Sequence, residues 1–349
     1  EGFIRIKDAE GKDKNINLTR IHMEEDSGKS VHDIDPFNTL VDLNRAGIPL
    51  LEIVSEPEIK NGEEAYSYLS EIRKLVRYLE ISDGNMEEGS LRADLNISVR
   101  KKGTLKFGTK VEVKNMNSFR NVQKAIDFEI IRQIDLIESG VNIFQETRTY
   151  DAAKNITIGL RSKEDAHDYR YFPEPDLVPV IVPQSYVAGV RENMPPLPYE
   201  LFVKYTKELA LSEYDAFVLT DSKAFALYFE EVIKHTSNYK GATNLLIGPV
   251  KSWLNEQSVE IEEFPIQPSA LAGIQSLVDE EKISISTATQ KLFPALLENP
   301  SADAAAMCES NGWIQQGDSD QLQAWVDQAL AVYPEKIKEY RSGKKGLIG

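Results

Sequence analysis

Two neighbouring stretches of strict alternation limit what the first half of this chain can fold into. From Leu91 to Arg100 apolar side chains occupy every second position, and the stretch Phe107–Lys114 repeats the pattern. Because successive side chains of a strand point to opposite faces, each stretch predicts a strand with one apolar and one polar face. The short segment Lys101–Lys106 joins them, so we predict an antiparallel hairpin. Its apolar side would belong to a core and its polar side would form the floor of a polar site.

Helical periodicity flanks this hairpin on both sides. One helix is predicted to start at Asn61, and its apolar positions are Ala65, Leu69, Ile72, Leu75, Val76 and Leu79. A second is predicted to run from the natural N-cap residues Asn117 and Ser118 to Gly140. Its apolar positions are Val122, Ile126, Ile130, Ile134 and Ile137.

Prolines recur from Pro173 to Pro198, which favours extended chain and predicts a boundary. Beyond it the helical period dominates. Helices are predicted over Tyr199–Leu209, Ser222–His235, Thr243–Leu254, Ala270–Val278, Thr287–Leu297 and Gln321–Val332. The fold class is therefore α+β, with an N-terminal domain of antiparallel sheet and helices followed by an all-helical region.

The charge balance argues against a general nucleic-acid binder. The 349 residues carry a formal net charge of −16, and neither the part before Pro195 nor the part after it is basic. Contact with a nucleic acid would have to rest on local patches, on shape or on another subunit. The single cysteine, Cys308, fits a reducing compartment, and no apolar run approaches the roughly 20 residues that span a bilayer. Since the sequence starts at Glu1 without Met, we expect a longer protein that continues at both ends.

Several acidic clusters could carry chemistry. Glu24, Glu25 and Asp26 precede a Gly-Lys-Ser, Glu52 lies inside an otherwise apolar strand, and Glu87–Glu88 come just before the hairpin. A carboxylate in an apolar strand costs several kcal/mol unless it is paired or bound to a metal. Hard cations such as Mg²⁺ take carboxylate oxygens together with substrate phosphates.

Each cluster also has an ordinary structural interpretation. Glu25 could belong to a solvated acidic turn, and Glu52 could form a buried salt bridge with an arginine such as Arg45. The polar hairpin face could simply be the solvated face of a sheet.

Other common sites are excluded by their motifs. Gly28-Lys29-Ser30 resembles the end of a phosphate-binding P-loop, but Met23 stands where the first glycine would be needed. The histidines are scattered without a zinc-binding spacing, and there is no G-x-S-x-G nucleophile motif. Nothing in the sequence therefore predicts that this chain can release ammonia from glutamine by itself.

Taken in order along the chain, the clusters resemble the signature blocks of the B-subunit family of the aspartyl/glutamyl-tRNA(Asn/Gln) amidotransferases. The blocks are His22–Ser30, Asp42–Pro57, Met86–Arg92 with Asp94, Phe107–Lys110, Lys114–Phe119 and Asp168–Asp176. One departure is Ala93, where the family usually has cysteine, which suggests that a thiol is not needed for the chemistry. The resemblance implies a catalytic cradle-like domain over 1–195, a helical domain over 196–265 and a helical tRNA-binding tail over 266–349.

The resemblance also implies a mechanism. ATP phosphorylates the side-chain carboxylate of Glu-tRNA(Gln) or Asp-tRNA(Asn), and ammonia from a glutaminase A subunit displaces the phosphate; a small C subunit completes the complex. Glu25 and Glu52 are then the expected Mg²⁺ ligands and should converge. The expected site wall and ammonia path are Glu88, Arg92, Asp94, Lys110, Glu112 and Lys114. All of these except Glu88 should share one sheet face with both glutamates.

Contact with the tRNA is expected from the basic end of the tail, which supplies the clustered positive charge after Pro195. Its residues are Lys336, Lys338, Arg341, Lys344 and Lys345. We expect no membrane partner, and a cytoplasmic location or, in a eukaryote, an organellar matrix. Two alternatives stay open: a non-catalytic tRNA-binding scaffold subunit, and a stand-alone ATP-dependent acid–ammonia ligase acting on a free small molecule.

Overall fold

The computed structural model describes residues 2–32, 34–35, 37–162, 178–315 and 319–343. Contacts divide the chain into two units, Glu1–Pro198 and Tyr199–Gly349. The boundary expected after residue 195 falls just before this division, and the one expected after residue 265 lies inside the second unit. The block Asp168–Asp176 lies outside the described residues. The fold class is confirmed, since sheets and helices form the first part and helices dominate the second.

The described strands of the first unit form three sheets. The strands are β1 (Phe3–Lys7), β2 (Asp13–Glu25), β3 (Lys29–Val31), β4 (Leu40–Asp42), β5 (Pro49–Ser55), β6 (Leu95–Ile97), β7 (Val111–Lys114), β8 (Glu146–Asp151) and β9 (Ile156–Ser162). Their orders are β1-β2-β5, β3-β4 and β6-β7-β8-β9. Lys29 of the Gly-Lys-Ser thus begins a strand of a two-stranded ribbon, unlike the helix start that a P-loop needs.

Helix α1 (Gly62–Tyr78) packs on the first sheet. It starts at the predicted residue, because the Asn61 side chain accepts a hydrogen bond from the backbone N–H of Glu64. Tyr68 and Ile72 on its buried face pack with Ile16 of β2 and with two isoleucines of β1. Glu64 is also buried, and its carboxylate takes the Lys14 ammonium at 2.7 Å. The helix is therefore fixed to the sheet by both apolar and charged contacts.

Helix α2 (Phe119–Glu138) connects two parallel strands of the last sheet. Ser118 caps it, as predicted, by accepting from the N–H of Asn121. The predicted hairpin pairs antiparallel, with Leu95 opposite Val113, although its strands are shorter than the alternation indicates. The next pair, β7 and β8, is parallel, and α2 supplies the long crossover that a parallel pair requires. The sheet is therefore mixed.

The buried face of α2 differs from the predicted one. Val122 and Ile126 are buried as expected, but Ile134 and Ile137 are more than a third exposed. Glu129 and Gln133 are fully buried instead. They can replace apolar side chains because each is saturated by hydrogen bonds, which periodicity of apolar residues does not register.

The second unit, together with the segment before it, is helical. Its helices are α3 (Gln184–Glu192), α4 (Pro198–Val203), α5 (Glu213–Leu219), α6 (Lys223–Val232), α7 (Tyr239–Leu245), α8 (Lys251–Gln257), α9 (Pro268–Asp279), α10 (Ile285–Thr287), α11 (Phe293–Glu298), α12 (Ala304–Ser310), α13 (Ser319–Val332) and α14 (Pro334–Arg341). Short π-helical segments continue α4, join α7 to α8 and join α10 to α11. Within the part of the chain that the structure describes, no helix is long and apolar enough to cross a membrane.

Candidate active site

Strand β7 separates a core face from a polar face. Val111 and Val113 are fully buried in the cluster that includes Val122 of α2. Alternation directs Glu112 and Lys114 to the other face. Because Leu95 lies opposite Val113, the residue before it, Asp94, comes beside Lys114. The alternation therefore predicted this juxtaposition, which depends on the hairpin register.

Asp94, Glu112 and Lys114 form one charged cluster, which we call the wall cluster. The Lys114 ammonium lies 2.8 Å from Asp94 Oδ2 and 3.4 Å from Glu112 Oε1. The Thr147 hydroxyl of β8 donates to Glu112 Oε2 at 2.8 Å. Partial burial alone would lower the pKa of Lys114, but the two carboxylates outweigh it and raise that pKa above its ordinary value. Lys114 is therefore a fixed positive charge and a poor base near neutral pH.

A second cluster surrounds Asp26. Its Oδ2 accepts from Arg45 Nε at 2.9 Å and from Arg92 at 3.1 Å. Arg45 also donates to the carbonyl of Gly89 at 2.9 Å, and Gly89 has a φ of +79°. A side chain at this position would be strained and would meet the guanidinium of Arg45. Arg92, a predicted wall residue, is thus held by a residue from the first acidic block.

The remaining wall candidates, Glu88 and Lys110, are both exposed. Glu88 precedes Gly89, and Lys110 precedes β7 by one residue. Among the described residues, no hydrogen bond or ion pair joins either side chain to the wall cluster or to Asp26. The structure thus assembles four of the six wall candidates into two clusters, with Glu88 and Lys110 beside them in the sequence.

Glu25 and Glu52 do not converge in the way we expected. Strands β2 and β5 pair antiparallel, with Glu25 opposite Pro49 and His22 opposite Glu52. Directly opposed residues share a face, and neighbouring residues of one strand alternate. Glu25 therefore shares a face with Pro49, and Glu52 lies three residues further along β5, on the other face. The two glutamates thus lie on opposite faces of this strand pair. The expectation of a common ion between them is wrong for this arrangement, because it ignored strand register.

Glu52 is neither buried nor paired with Arg45. Its side chain is 44% exposed, and its carboxylate lies 3.2 Å from Arg20. The apolar sequence around it does not produce a buried strand, since Leu51 is 44% exposed as well. A surface ion pair of this kind contributes little stability, about 0–1 kcal/mol. The stability of the fold therefore does not explain why a carboxylate occupies position 52.

The donor geometry does not support a shared metal site. Within the described residues, no group of three or more histidine, cysteine, aspartate or glutamate side chains is arranged to hold a metal ion. Glu25 and Glu52 do not fit a common Mg²⁺ ion on the register just given. Each could supply only a single carboxylate, so no reaction step is assigned to a metal.

Two supporting residues were not predicted. Thr147 holds Glu112 from the neighbouring strand, and Gln133 reaches from α2 to the backbone of the hairpin. Its Nε2 donates to the Ile97 carbonyl at 3.2 Å, and its Oε1 accepts from the N–H of Val99 at 3.1 Å. The sequence did contain a signal for Glu129 and Gln133, because both lie at helical spacing from the buried Val122 and Ile126 and so belong to the same face of α2.

Known families match both units. Residues 1–188 match the family described as GatB/GatE catalytic domain, and residues 227–349 match the GatB domain. A protein of Chlorobium phaeobacteroides, named as the B subunit of aspartyl/glutamyl-tRNA(Asn/Gln) amidotransferase, is 45% identical over 349 residues, covering all of this chain and 73% of that protein. The chain belongs to this family of amidotransferase B subunits.

Further relatives carry the same name. The protein of Caldicellulosiruptor bescii is 44% identical over all of this chain and 72% of its own length. That of Synechococcus elongatus is 46% identical with the same two coverages. The resemblance inferred from the sequence blocks is therefore confirmed. The chain is a B subunit of the carbon–nitrogen ligase class.

Proposed function

We propose that this chain activates the side-chain carboxylate of Glu-tRNA(Gln), Asp-tRNA(Asn) or both with ATP, and directs ammonia to it. A glutaminase A subunit supplies the ammonia, and a small C subunit completes the complex, in the cytoplasm or an organellar matrix. The observation that carries this proposal is the wall cluster, where one fixed cation lies between two carboxylates. Such a site can neutralise and position charge without a nucleophile, which is what phosphoryl transfer to an acid needs.

The chemistry divides among these residues by charge. ATP supplies the phosphoryl group that turns a carboxylate oxygen of the substrate into a leaving group. Lys114 and Arg92 carry the positive charge that offsets the substrate carboxylate and its phosphoryl oxygens. When ammonia attacks the carbonyl carbon, the carbon–nitrogen bond forms, the carbon–oxygen bond to phosphate breaks, and nitrogen must lose a proton. Asp94 and Glu112 are the acceptors for that proton, since the raised pKa of Lys114 keeps it protonated.

We retain Lys110 and Glu88 as candidates for the path that ammonia follows to this cluster. Glu25 and Glu52 remain candidates for binding a divalent ion that accompanies the nucleotide, one carboxylate at a time. Mg²⁺ commonly takes one or two carboxylates and completes its shell with phosphate oxygens and water. Because the register separates the two glutamates, Glu25→Gln and Glu52→Gln should be tested singly.

The experiment uses the full-length protein in its complex with the A and C subunits. Lys114→Met should lower amide formation at saturating misacylated tRNA by about 100-fold or more, as loss of one preorganised charge does elsewhere. Glutamine hydrolysis by the A subunit should continue. Lys154→Met removes a lysine that is 69% exposed in the β8–β9 turn and serves as the matched control.

Three results would contradict the proposal. A Lys114→Met complex with normal turnover and weakened tRNA binding would favour the scaffold alternative. Amide formation on free glutamate or aspartate by the wild-type complex would favour the small-molecule ligase. Equal effects of Lys114→Met and Lys154→Met would remove the wall cluster from the chemistry.

A further inference from the structure

The loop of the hairpin carries a concentration of positive charge that the wall cluster does not use. Residues 95–111 contain five cations and no acidic residue, in a chain with a net charge of −16. These cations, which we call the basic loop, are Arg100, Lys101, Lys102, Lys106 and Lys110. All five are exposed.

The basic loop is a folded structure. Arg100 lies over the ring of Phe107, 4.4 Å from its centroid, and donates to the Leu105 carbonyl. The N–H and hydroxyl of Thr104 both donate to the Lys101 carbonyl, which closes the turn. Gly108 brings the two arms together, since a Cβ there would lie 2.2 Å from the Val99 carbonyl oxygen. The lysines are therefore presented by an ordered turn.

The turn is also anchored to the rest of the unit. Gln133 of α2 holds the backbone of Ile97 and Val99, immediately before Arg100. On the other arm, Lys110 precedes Glu112 of the wall cluster by two residues, or roughly 7 Å along extended chain. The basic loop thus continues the strand that carries the proposed chemistry.

The basic end of the tail makes a useful comparison. In α14, Lys336, Lys338 and Arg341 alternate with Glu335 and Glu339, and Lys338 pairs with Glu335 at 3.3 Å. Helix α14 therefore has a net charge of only +1, whereas residues 95–111 have a net charge of +5. A polyanion would therefore be attracted more strongly to the basic loop than to α14.

We propose that the basic loop binds the phosphate backbone of the tRNA next to its aminoacylated end. This inference rests on the proposed function, because only a tRNA-linked substrate brings a polynucleotide backbone to the wall cluster. Exposed lysines attract phosphates as point charges, so the contact positions the RNA without reading its sequence. The occupant is RNA, and an acidic surface of a partner subunit is the competing outcome.

The test compares two charge-matched double variants of this chain in the full complex. Lys102→Glu with Lys106→Glu changes the basic loop. Lys60→Glu with Lys124→Glu makes the same change in charge at exposed positions near the start of α2. The basic loop lies beside the other end of this helix, where Ile137 and Gly140 line a cleft with Val99 and Gly108. A helix of 20 residues separates its ends by about 30 Å.

The loop variant should bind misacylated tRNA about 10-fold more weakly at 0.1 M salt. The plot of the log of the association constant against the log of the salt concentration should become less steep by roughly 1.5, because two phosphate contacts are lost. Turnover at saturating tRNA should change less than about 2-fold, since binding energy common to ground and transition states is what is removed. The control variant should match the wild type in all three measurements.

Two outcomes would overturn the inference: equal affinity and salt slope for both variants, or a loop variant that loses its partner subunits while binding tRNA normally. Failure of the proposed function gives different results. If the protein is a small-molecule ligase, the wild-type complex binds misacylated tRNA no better than an unrelated RNA. If it is a scaffold, the wild-type complex still binds the tRNA, but Lys114→Met leaves turnover normal. Melting curves for both variants exclude unfolding as a cause.

Discussion

Asp26 accepts hydrogen bonds from two arginines through one oxygen, and its own side chain is only 12% exposed. Burial alone would raise its pKa, but the hydrogen bonds and charges of Arg92 and Arg45 outweigh burial and lower that pKa. A depressed carboxylate pKa contributes stability at every pH above the ordinary value. That stability is lost only as the pH falls through the depressed pKa, below about 3.8. Asp26 therefore stays ionised throughout the neutral range.

Asp26→Asn should destabilise the first unit by about 1–2 kcal/mol at pH 7. This is the contribution of a charge-assisted hydrogen bond, reduced because both arginines are about half exposed to solvent. The difference from the wild type should shrink as the pH falls below about 3.8 and disappear once the pH lies below the depressed pKa of Asp26, measured as melting temperature against pH. Asp13→Asn is the control, since it removes an ion pair with Lys7 in which both side chains are about half exposed. A difference that persists unchanged at more acidic pH would contradict the role of ionised Asp26.

At the same scale, the sequence predicted the relative positions of some candidate site residues well and of others poorly. Strand alternation brought Asp94, Glu112 and Lys114 together correctly, because their contacts depend on local register across one hairpin. Glu25 and Glu52 were assigned by resemblance, and their placement depends on a pairing between strands distant in sequence. A register cannot be read from residue types alone when both faces of a strand pair are partly exposed.

Among the elements, α2 does most to hold the site together. Buried Glu129 accepts from Arg132, Gln133 and the Thr157 hydroxyl of β9, while Arg148 of β8 lies 3.7 Å away. Arg132 and Arg148 also contact Glu146, so one network joins α2 to β8 and β9. Gln133 extends it to the hairpin. This charged network therefore supports the sheet from the side that packs against α2, opposite to its polar face.

Glu129→Gln should destabilise the first unit by about 1.5–3 kcal/mol, because it removes charge-assisted hydrogen bonds from Arg132 while Glu146 still pairs with both arginines. Hydrogen exchange should report this as faster exchange of amides in α2 and β9, with the second unit unaffected. Glu138→Gln on the exposed end of the same helix is the matched control. Unchanged exchange in α2 would show that the network does not stabilise the unit.

Three predicted helix starts are confirmed, whereas those at Thr243 and Thr287 fall after the observed starts at Tyr239 and Ile285. Asn61, Ser118 and Ser222 each cap the predicted helix, because capping involves only neighbouring residues. The helices α5, α12 and α14 were missed, since short helices offer too few turns for periodicity to register. Helix α3 was also missed, and the prediction of extended chain is wrong there, because no proline lies between Pro183 and Pro195. The continuation of the helix past Pro249 was predicted, although a π-helical segment now accommodates that proline.

For the whole molecule, charge decides how a tRNA could bind. The chain is acidic overall, so affinity must come from restricted basic regions and must depend on salt. The tail supplies Lys336, Lys338 and Arg341 in α14, while Lys344 and Lys345 lie outside the described residues. We propose that this tail is a second contact region, separate from the basic loop.

The fold changes how the tail should be tested. Removing everything beyond residue 265 would delete α9, whose Leu271 and Ile274 are fully buried in the second unit. Helix α12 also contributes the buried Cys308, whose thiol pKa is raised by that burial. Loss of binding after such a deletion would reflect unfolding. A chain that ends at residue 315 removes α13 and α14 and keeps these buried residues.

In the assembled complex, the chain ending at residue 315 should show a higher KM for misacylated tRNA, while turnover at saturating tRNA falls much less. The physical reason is that the tail provides uniform binding energy, whereas the wall cluster lies in the first unit. Lowering the salt concentration should partly restore binding, since the remaining phosphate contacts strengthen as counterions are diluted. The full-length variant Lys336→Gln, Lys338→Gln, Arg341→Gln should reproduce part of the KM increase without any deletion. Undiminished affinity in both proteins would make the tail a structural appendage and leave the basic loop as the region that attracts the tRNA.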